Sequence, residues 1–224
     1  MLDANKISFI SCVNDSGYYK TALSHIMSMN VPEGMKFDCI PITDAVSMCA
    51  GYNAALTQSD AKYKIYLHQD AYIINDNFIT DLLHIFANPT IGLIGMIGAK
   101  SLPSSLVWWE SKHPFGKVID SSAGYRRILA FGNSDNSYEK VLVVDGLMMA
   151  TQYDIPWRED IFLHWHFYDI AQSIEFNKAG YDVVMPNQPV PWVEHDCGPS
   201  STDGYGEAKK IFEKEYITPL RTLP

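Results

Sequence analysis

Tyr63-Lys64-Ile65-Tyr66-Leu67-His68-Gln69-Asp70 reads as a short buried strand that ends abruptly in three polar, ligand-capable side chains. In a parallel α/β sheet, ligands bind in the crevice at the carboxyl ends of the strands. A His-Gln-Asp cluster at such an end is the expected place for a phosphate-bound metal. Asp70 taken alone reads rather as an ordinary solvated loop aspartate. His68, Gln69 and the pattern upstream favour the metal.

That pattern is an alternation. Lys6 to Val13 reads as a first strand, punctuated by Asn14-Asp15-Ser16-Gly17. From Tyr18 to Met29, the residues Tyr19, Leu23, Ile26 and Met27 share one face at helical spacing. Lys36 to Ile42 is a second strand, followed by Thr43-Asp44. Ser47 is an N-cap for a helix from Met48 to about Thr57. Beyond the third strand, Asn75 or Asp76 caps a helix that buries Phe78, Leu82, Ile85 and Phe86, and Asn88-Pro89 stops it. Ile91 to Ile97 is a fourth strand, whose glycines signal a bend or close backbone approach. The sequence predicts a mostly parallel central sheet flanked by helices, with a Rossmann-like first half over residues 1–98.

The rhythm breaks over 99–140, a stretch rich in Gly, Pro and Trp that reads as an irregular insertion with a small hairpin near Val118-Ile119. An excursion of that length is often functional. Residues 141–224 resume the pattern. They hold a buried strand at Val141 to Val144, then Asp145-Gly146 and the apolar Leu147 to Ala150. A helix runs from Phe167 to Ala179 with Gly180 as its C′ residue. Strands follow at Tyr181 to Met185 and Val190 to Glu194, then His195, and an amphipathic tail helix near Glu207 to Tyr216. The whole is expected to be one domain.

Composition excludes several classes. The 224 residues carry 17 Lys+Arg against 26 Asp+Glu, a net charge of −9, so nucleic acid is not an expected partner. Four scattered cysteines fit neither a zinc ribbon nor a disulfide scaffold, and buried thiols in a reducing cytoplasm are the expected state. No signal peptide or transmembrane segment is expected, and peripheral contact with a membrane stays open. Neither G-x-G-x-x-G nor a P-loop is present, which disfavours a dinucleotide enzyme or a P-loop kinase.

Leu67-His68-Gln69-Asp70, Asp145-Gly146, and Phe167-Tyr168-Asp169 with Ala179-Gly180-Tyr181 together resemble the GT-A glycosyltransferases. More narrowly, they resemble the inverting family-2-like group, in which His-Gln-Asp can replace Asp-x-Asp. The resemblance runs from Ile7 to about Gly198. It implies a nucleotide diphosphate sugar as donor, a glycan or other hydroxyl acceptor, and a divalent metal, Mn2+ or Mg2+. By resemblance Asp70 touches the metal, Gln69 lies near ribose and phosphate, and the late His195 completes the metal sphere. The ends of the first two strands, Val13-Asn14 and Thr43-Asp44, would form the nucleotide crevice. Asp44 would accept from the uracil imide, which favours a UDP-sugar. Asn53 matches the family's helix ahead of the metal motif. Asp169, near a helix N-terminus that keeps it ionised, is the implied general base. Asp145-Gly146 would contact donor or acceptor sugar.

Each role has a plainer counterpart. Asn14-Asp15 is turn chemistry, Asp145-Gly146 a tight turn, Asp169 a first-turn cap, and Asn53 helix packing. His164 or His166 would serve as base instead, or line the acceptor site. Trp108, Trp109, Trp165 and Trp192 either stack on sugars or fill the core. The segment from Gly198 to Gly206 reads as a loop closing over the donor. Tyr168 and His68 depart from acidic residues of the family. They motivate the alternative of a non-catalytic domain that binds nucleotide or glycan.

Overall fold

Seven strands of mixed direction carry the site-forming ends of the molecule. The computed structural model describes residues 2–198 and 201–218. In chain order the first half comprises β1 (Asp3–Cys12), α1 (Ser16–Ser28), β2 (Lys36–Ile42), α2 (Met48–Gln58), β3 (Ala61–Leu67), β4 (Ala71–Ile73), α3 (Phe78–Phe86) and β5 (Ile91–Gly95). Then come β6 (Ile97–Ala99), β7 (Pro114–Asp120), β8 (Arg127–Phe131), β9 (Tyr138–Lys140), β10 (Val143–Val144) and β11 (Met148–Thr151). The chain continues with α4 (Tyr168–Lys178), β12 (Asp182–Pro186), β13 (Val193–His195) and α5 (Tyr205–Phe212). A π-helical turn, Glu213–Ile217, extends α5.

The larger sheet has the order β2-β1-β3-β11-β5-β12-β9. β1 is parallel to β2 and β3, which brings three carboxyl ends to one edge. Local chemistry turns the chain away there. Asp15 accepts from the N–H groups of Gly17 and Tyr18 to cap α1, and Ser47 accepts from Ala50 to cap α2. The cap of α3 differs from expectation. Asn77 holds that place without a side-chain cap bond, and Asn75 accepts from its N–H.

The apolar run after Asp145-Gly146 is strand β11, inserted antiparallel between β3 and β5. It makes the sheet mixed. The strand expected over 91–97 is two strands on different sheets, β5 and β6, divided at Met96. Glycine permits the crossing. A Cβ at Gly98 would lie 2.2 Å from the Val143 carbonyl oxygen, so only glycine lets β10 approach β6.

The excursion over 99–140 is folded. It supplies β7 and β8, a longer hairpin than expected, to a second sheet ordered β10-β6-β7-β13-β4, and β9 to the edge of the first. Two of the residues in the expected closing loop, 199 and 200, lie outside the described residues. Among the described residues no helix is long and apolar enough to cross a membrane.

One charge sits deep in the larger sheet. Lys64 of β3 is 0% exposed, and its Nζ donates to the Ala61 carbonyl and to Asp154 Oδ1, both at 2.7 Å. Removing the anion would strand a buried ammonium, whereas removing the lysine leaves a part-exposed carboxylate. Asp154→Ala is therefore expected to cost about 3 kcal/mol in chemical denaturation, and Lys64→Met distinctly less.

Candidate functional site

The carboxyl ends of β1, β2 and β3 open on a cleft of about 210 Å³. Cys12, Val13, Asn14, Thr43, His68, Gln69 and Asp70 line it, with Met48 at the start of α2 and Trp165 opposite. Gln69 shapes this cleft from within. Its Oε1 accepts from the backbone N–H groups of Asn14 (2.9 Å) and Asp15 (2.8 Å), and its amide nitrogen donates to Asn14 Oδ1. The expected ribose contact is thus a strap between the ends of β1 and β3. Asp44 is exposed beside the lining residues Thr43 and Ala45. Asn53 faces elsewhere. Its amide donates to the Trp157 carbonyl and accepts from the Trp157 N–H, at 2.9 and 2.8 Å, which pins α2 to the loop before α4.

Strand register brings His195 to Asp70. In the antiparallel pair β13–β4, His195 lies opposite Ala71, the residue after Asp70. His195 Nε2 is 3.5 Å from Asp70 Oδ1 and 3.3 Å from His68 Nδ1. One ligand atom from each of His68, Asp70 and His195 falls within 4.8 Å of the others. Adjacent ligands of an octahedral ion at about 2.1 Å lie about 3 Å apart, so modest contraction would seat a divalent cation. Two imidazoles and one carboxylate suit Mn2+ better than Mg2+.

Charge is distributed unevenly over this trio. Burial pushes the His68 imidazole down to about 4, and the neighbouring His195 acts in the same direction. For His195 burial opposes the charge, but the hydrogen bonds and charge of Asp70 and Cys197 together outweigh it and hold the ring at about 10. Burial likewise opposes ionisation of Asp70, and His195 nonetheless keeps its carboxyl below the usual range.

His68 is fixed from behind by a residue that the sequence marked only as a departure. The Tyr168 hydroxyl lies 2.6 Å from His68 Nε2. Tyr168 is buried, and its ring rests on Gly146, where a Cβ would come within 2.0 Å of the hydroxyl. The residue ahead of it, Phe167, takes φ +63°, a strained value for a residue with a large side chain. That turn aims both Tyr168 and Asp169 inward from the start of α4.

Asp169 Oδ2 accepts from the Gly146 N–H at 2.9 Å. Burial raises its carboxyl to about 7, and the nearby Asp145 adds to the effect. Asp145 has both oxygens engaged. Oδ1 accepts from the Leu147 N–H, and Oδ2 accepts from Trp108 Nε1, each at 2.9 Å. Trp108 comes from the excursion, and no periodic signal in the sequence pointed to it. Trp109 beside it is 56% exposed, whereas Trp108 and Trp192 are buried in the core. His166 is half-buried against the Tyr205 ring and lies outside the cleft lining, and His164 pairs with Glu207 at 3.5 Å.

The family model described as "Glycosyltransferase like family" matches residues 8–216. No curated protein matches the sequence. Among solved structures, the mannosyltransferase PcManGT from Pyrobaculum calidifontis, in complex with GDP-Man and Mn2+, superposes with a TM-score of 0.61 at 10% identity, over 98% of this chain and 65% of its own. S. aureus TarS superposes at 0.60 and 10% identity, over 95% of this chain and 40% of its own. TarS 1-349 with UDP-GlcNAc gives 0.56 at 10% identity, over 96% and 67%. The chain therefore spans about two thirds or less of these relatives, and at such identity they show the fold, which is GT-A. By the family match over residues 8–216, this chain belongs to the glycosyltransferase-like family.

Proposed function

We propose that this chain is a single-domain, inverting glycosyltransferase that moves a sugar from a nucleotide diphosphate donor, UDP-linked by preference, to a hydroxyl of a glycan or similar acceptor. The observation that carries this reading is the convergence of two constellations on one edge. His68 and Asp70 line the cleft, His195 clusters with them, and Tyr168 ties His68 to the helix that bears Asp169. The relatives in complex with GDP-Man and UDP-GlcNAc support a nucleotide-sugar donor.

In this reading the base and ribose enter between Val13-Asn14 and Thr43-Asp44, with Trp165 closing one side. A divalent cation held by Asp70, His195 and His68 would neutralise the diphosphate as it departs. The chain's own residues do the rest. Asp169 accepts the proton of the attacking hydroxyl. The Gly146 N–H fixes its orientation, and the α4 N-terminus favours the anion. Asp145, clamped at both oxygens, is a fixed charge that lifts Asp169 towards neutrality and orients sugar hydroxyls. One carboxylate acting as base, with no nucleophile required, is what an inverting transfer needs.

The departures at His68 and Tyr168 favour a second reading, a domain that binds nucleotide without transfer. Calorimetric titration of UDP and GDP with and without Mn2+ separates the two from the outset. Mn2+-dependent UDP binding that weakens at least tenfold in Asp70→Ala is expected. Binding indifferent to both the ion and Asp70 would favour the second reading.

The base assignment has its own test. A carboxyl raised to about 7 must be ionised to accept a proton, so donor turnover should rise with pH through about 7 and level off above it. Asp169→Asn should lower turnover by roughly 10²–10⁴-fold while leaving UDP affinity within about twofold. A flat pH profile, or a variant that retains turnover, would remove Asp169 from this role.

A further inference from the structure

His195 belongs to two clusters. β13 lies between β4 and β7, and the same register that sets His195 beside Asp70 on one flank sets it opposite Asp120 on the other. Cys197, two residues on, joins this second flank. Ligand atoms of Asp120, His195 and Cys197 all lie within 4.8 Å of one another. We propose that these three residues form a second cation position, selective for a thiophilic ion such as Zn2+, which competes with the donor-side position for the single lone pair of His195.

The chemistry of the donors sets the selectivity. The donor-side set offers two imidazoles and a carboxylate, whereas this one offers an imidazole, a carboxylate and a sulfur. Thiolate ligands select Zn2+ and its analogues over Mg2+ and Mn2+, and three protein ligands leave a fourth tetrahedral position open. Asp120 is buried. Its Oδ2 already accepts from the Ser122 hydroxyl at 2.7 Å and from Arg127 Nε at 3.2 Å. Among the described residues Oδ1 accepts no hydrogen bond, so it is available to an ion. The Arg127 guanidinium, 39% exposed at the side chain, weakens the position for a hard cation that relies on charge alone. Thiol coordination does not depend on charge alone, and it releases the Cys197 proton to solvent.

Competition follows from the imidazole itself. A neutral ring has one lone pair and one N–H. His195 Nε2 faces His68 and Asp70. An ion bound on the thiol side takes the lone pair, and the donor-side position is then left with His68 and Asp70 only. The competition half of the proposal rests on the donor-site reading above, and the existence of the thiol site does not.

Co2+ titration of the whole chain tests both halves. A thiolate-to-cobalt charge-transfer absorption should appear at one equivalent. It should vanish in Cys197→Ser, persist in Cys39→Ser, and require at least tenfold more Co2+ in Asp120→Asn. Adding Mn2+ with UDP should then raise the Co2+ needed at least tenfold in the native chain and not in Asp70→Ala. Absence of the band in the native chain, which needs no variant to fold, overturns the thiol site. Persistence of the band in Cys197→Ser overturns it as well. A band that ignores Mn2+ and UDP, when calorimetry shows that they bind, overturns the sharing of His195. If calorimetry shows no nucleotide binding, the donor-site reading and the competition fail together, while the spectrum still decides the thiol site.

Discussion

The contact on which the site depends is the hydrogen bond between the Tyr168 hydroxyl and His68 Nε2. It joins the residue that follows β3, in the first half of the chain, to the first turn of α4, in the second. Neither partner can drift. Tyr168 is packed on Gly146 and sits among Tyr52 and Trp157, and His68 is anchored through its backbone N–H to the Leu147 carbonyl. A phenol is both donor and acceptor, so the bond holds with either neutral tautomer of His68. Replacing Gly146 with any larger residue would drive a Cβ into the phenol and move both ring and imidazole.

The same residues keep two carboxylates distinct. Asp145 and Asp169 lie close enough for one to raise the other, yet their surroundings differ. Asp145 has an indole N–H and a backbone N–H on separate oxygens, which fixes its orientation. Asp169 is held through the Gly146 N–H, and its burial raises the carboxyl. The burial of Asp169, with Asp145 close by, is what raises its carboxyl to about 7, the range in which a carboxyl can take up and release a proton near neutrality. The excursion enters the chemistry at this point, through the Trp108 indole N–H that Asp145 accepts.

Much of the fold was legible because its first half is local. β1, β2, β3 and the helices between them each carry their own periodicity and caps, and parallel crossovers leave little choice of order. β11 and the second sheet were not legible in that way. Apart from the β7–β8 hairpin, their pairings join residues far apart in sequence, such as Met148 with Leu67 and Glu194 with Ile119, and strands as short as β4, β6, β10, β11 and β13 carry no period. Site residues divide along the same line. Asp70 and Gln69 sit next to a readable strand. The partners that define their environment, Tyr168, Trp108 and Asp120, are contributed by distant elements. Asn53 illustrates the converse. Its place in the helix was readable, but its amide is committed to Trp157, which lies 104 residues away.

His68 and Tyr168 are physically one unit. An acid at position 68 and an acid at position 168 would stand within hydrogen-bonding reach of each other, beside Asp70, Asp145 and Asp169. A cation alone would then have to offset five carboxylates in a partly buried site, and like charges at such distances push one another towards protonation. An imidazole facing a phenol removes two of those charges and replaces repulsion with a hydrogen bond. The site is thereby ordered by its own side chains. What it gives up is negative charge for a hard cation, and what it keeps is nitrogen for a softer one. An imidazole held by a phenol thus supplies a neutral nitrogen donor in the place where an acid pair would repel.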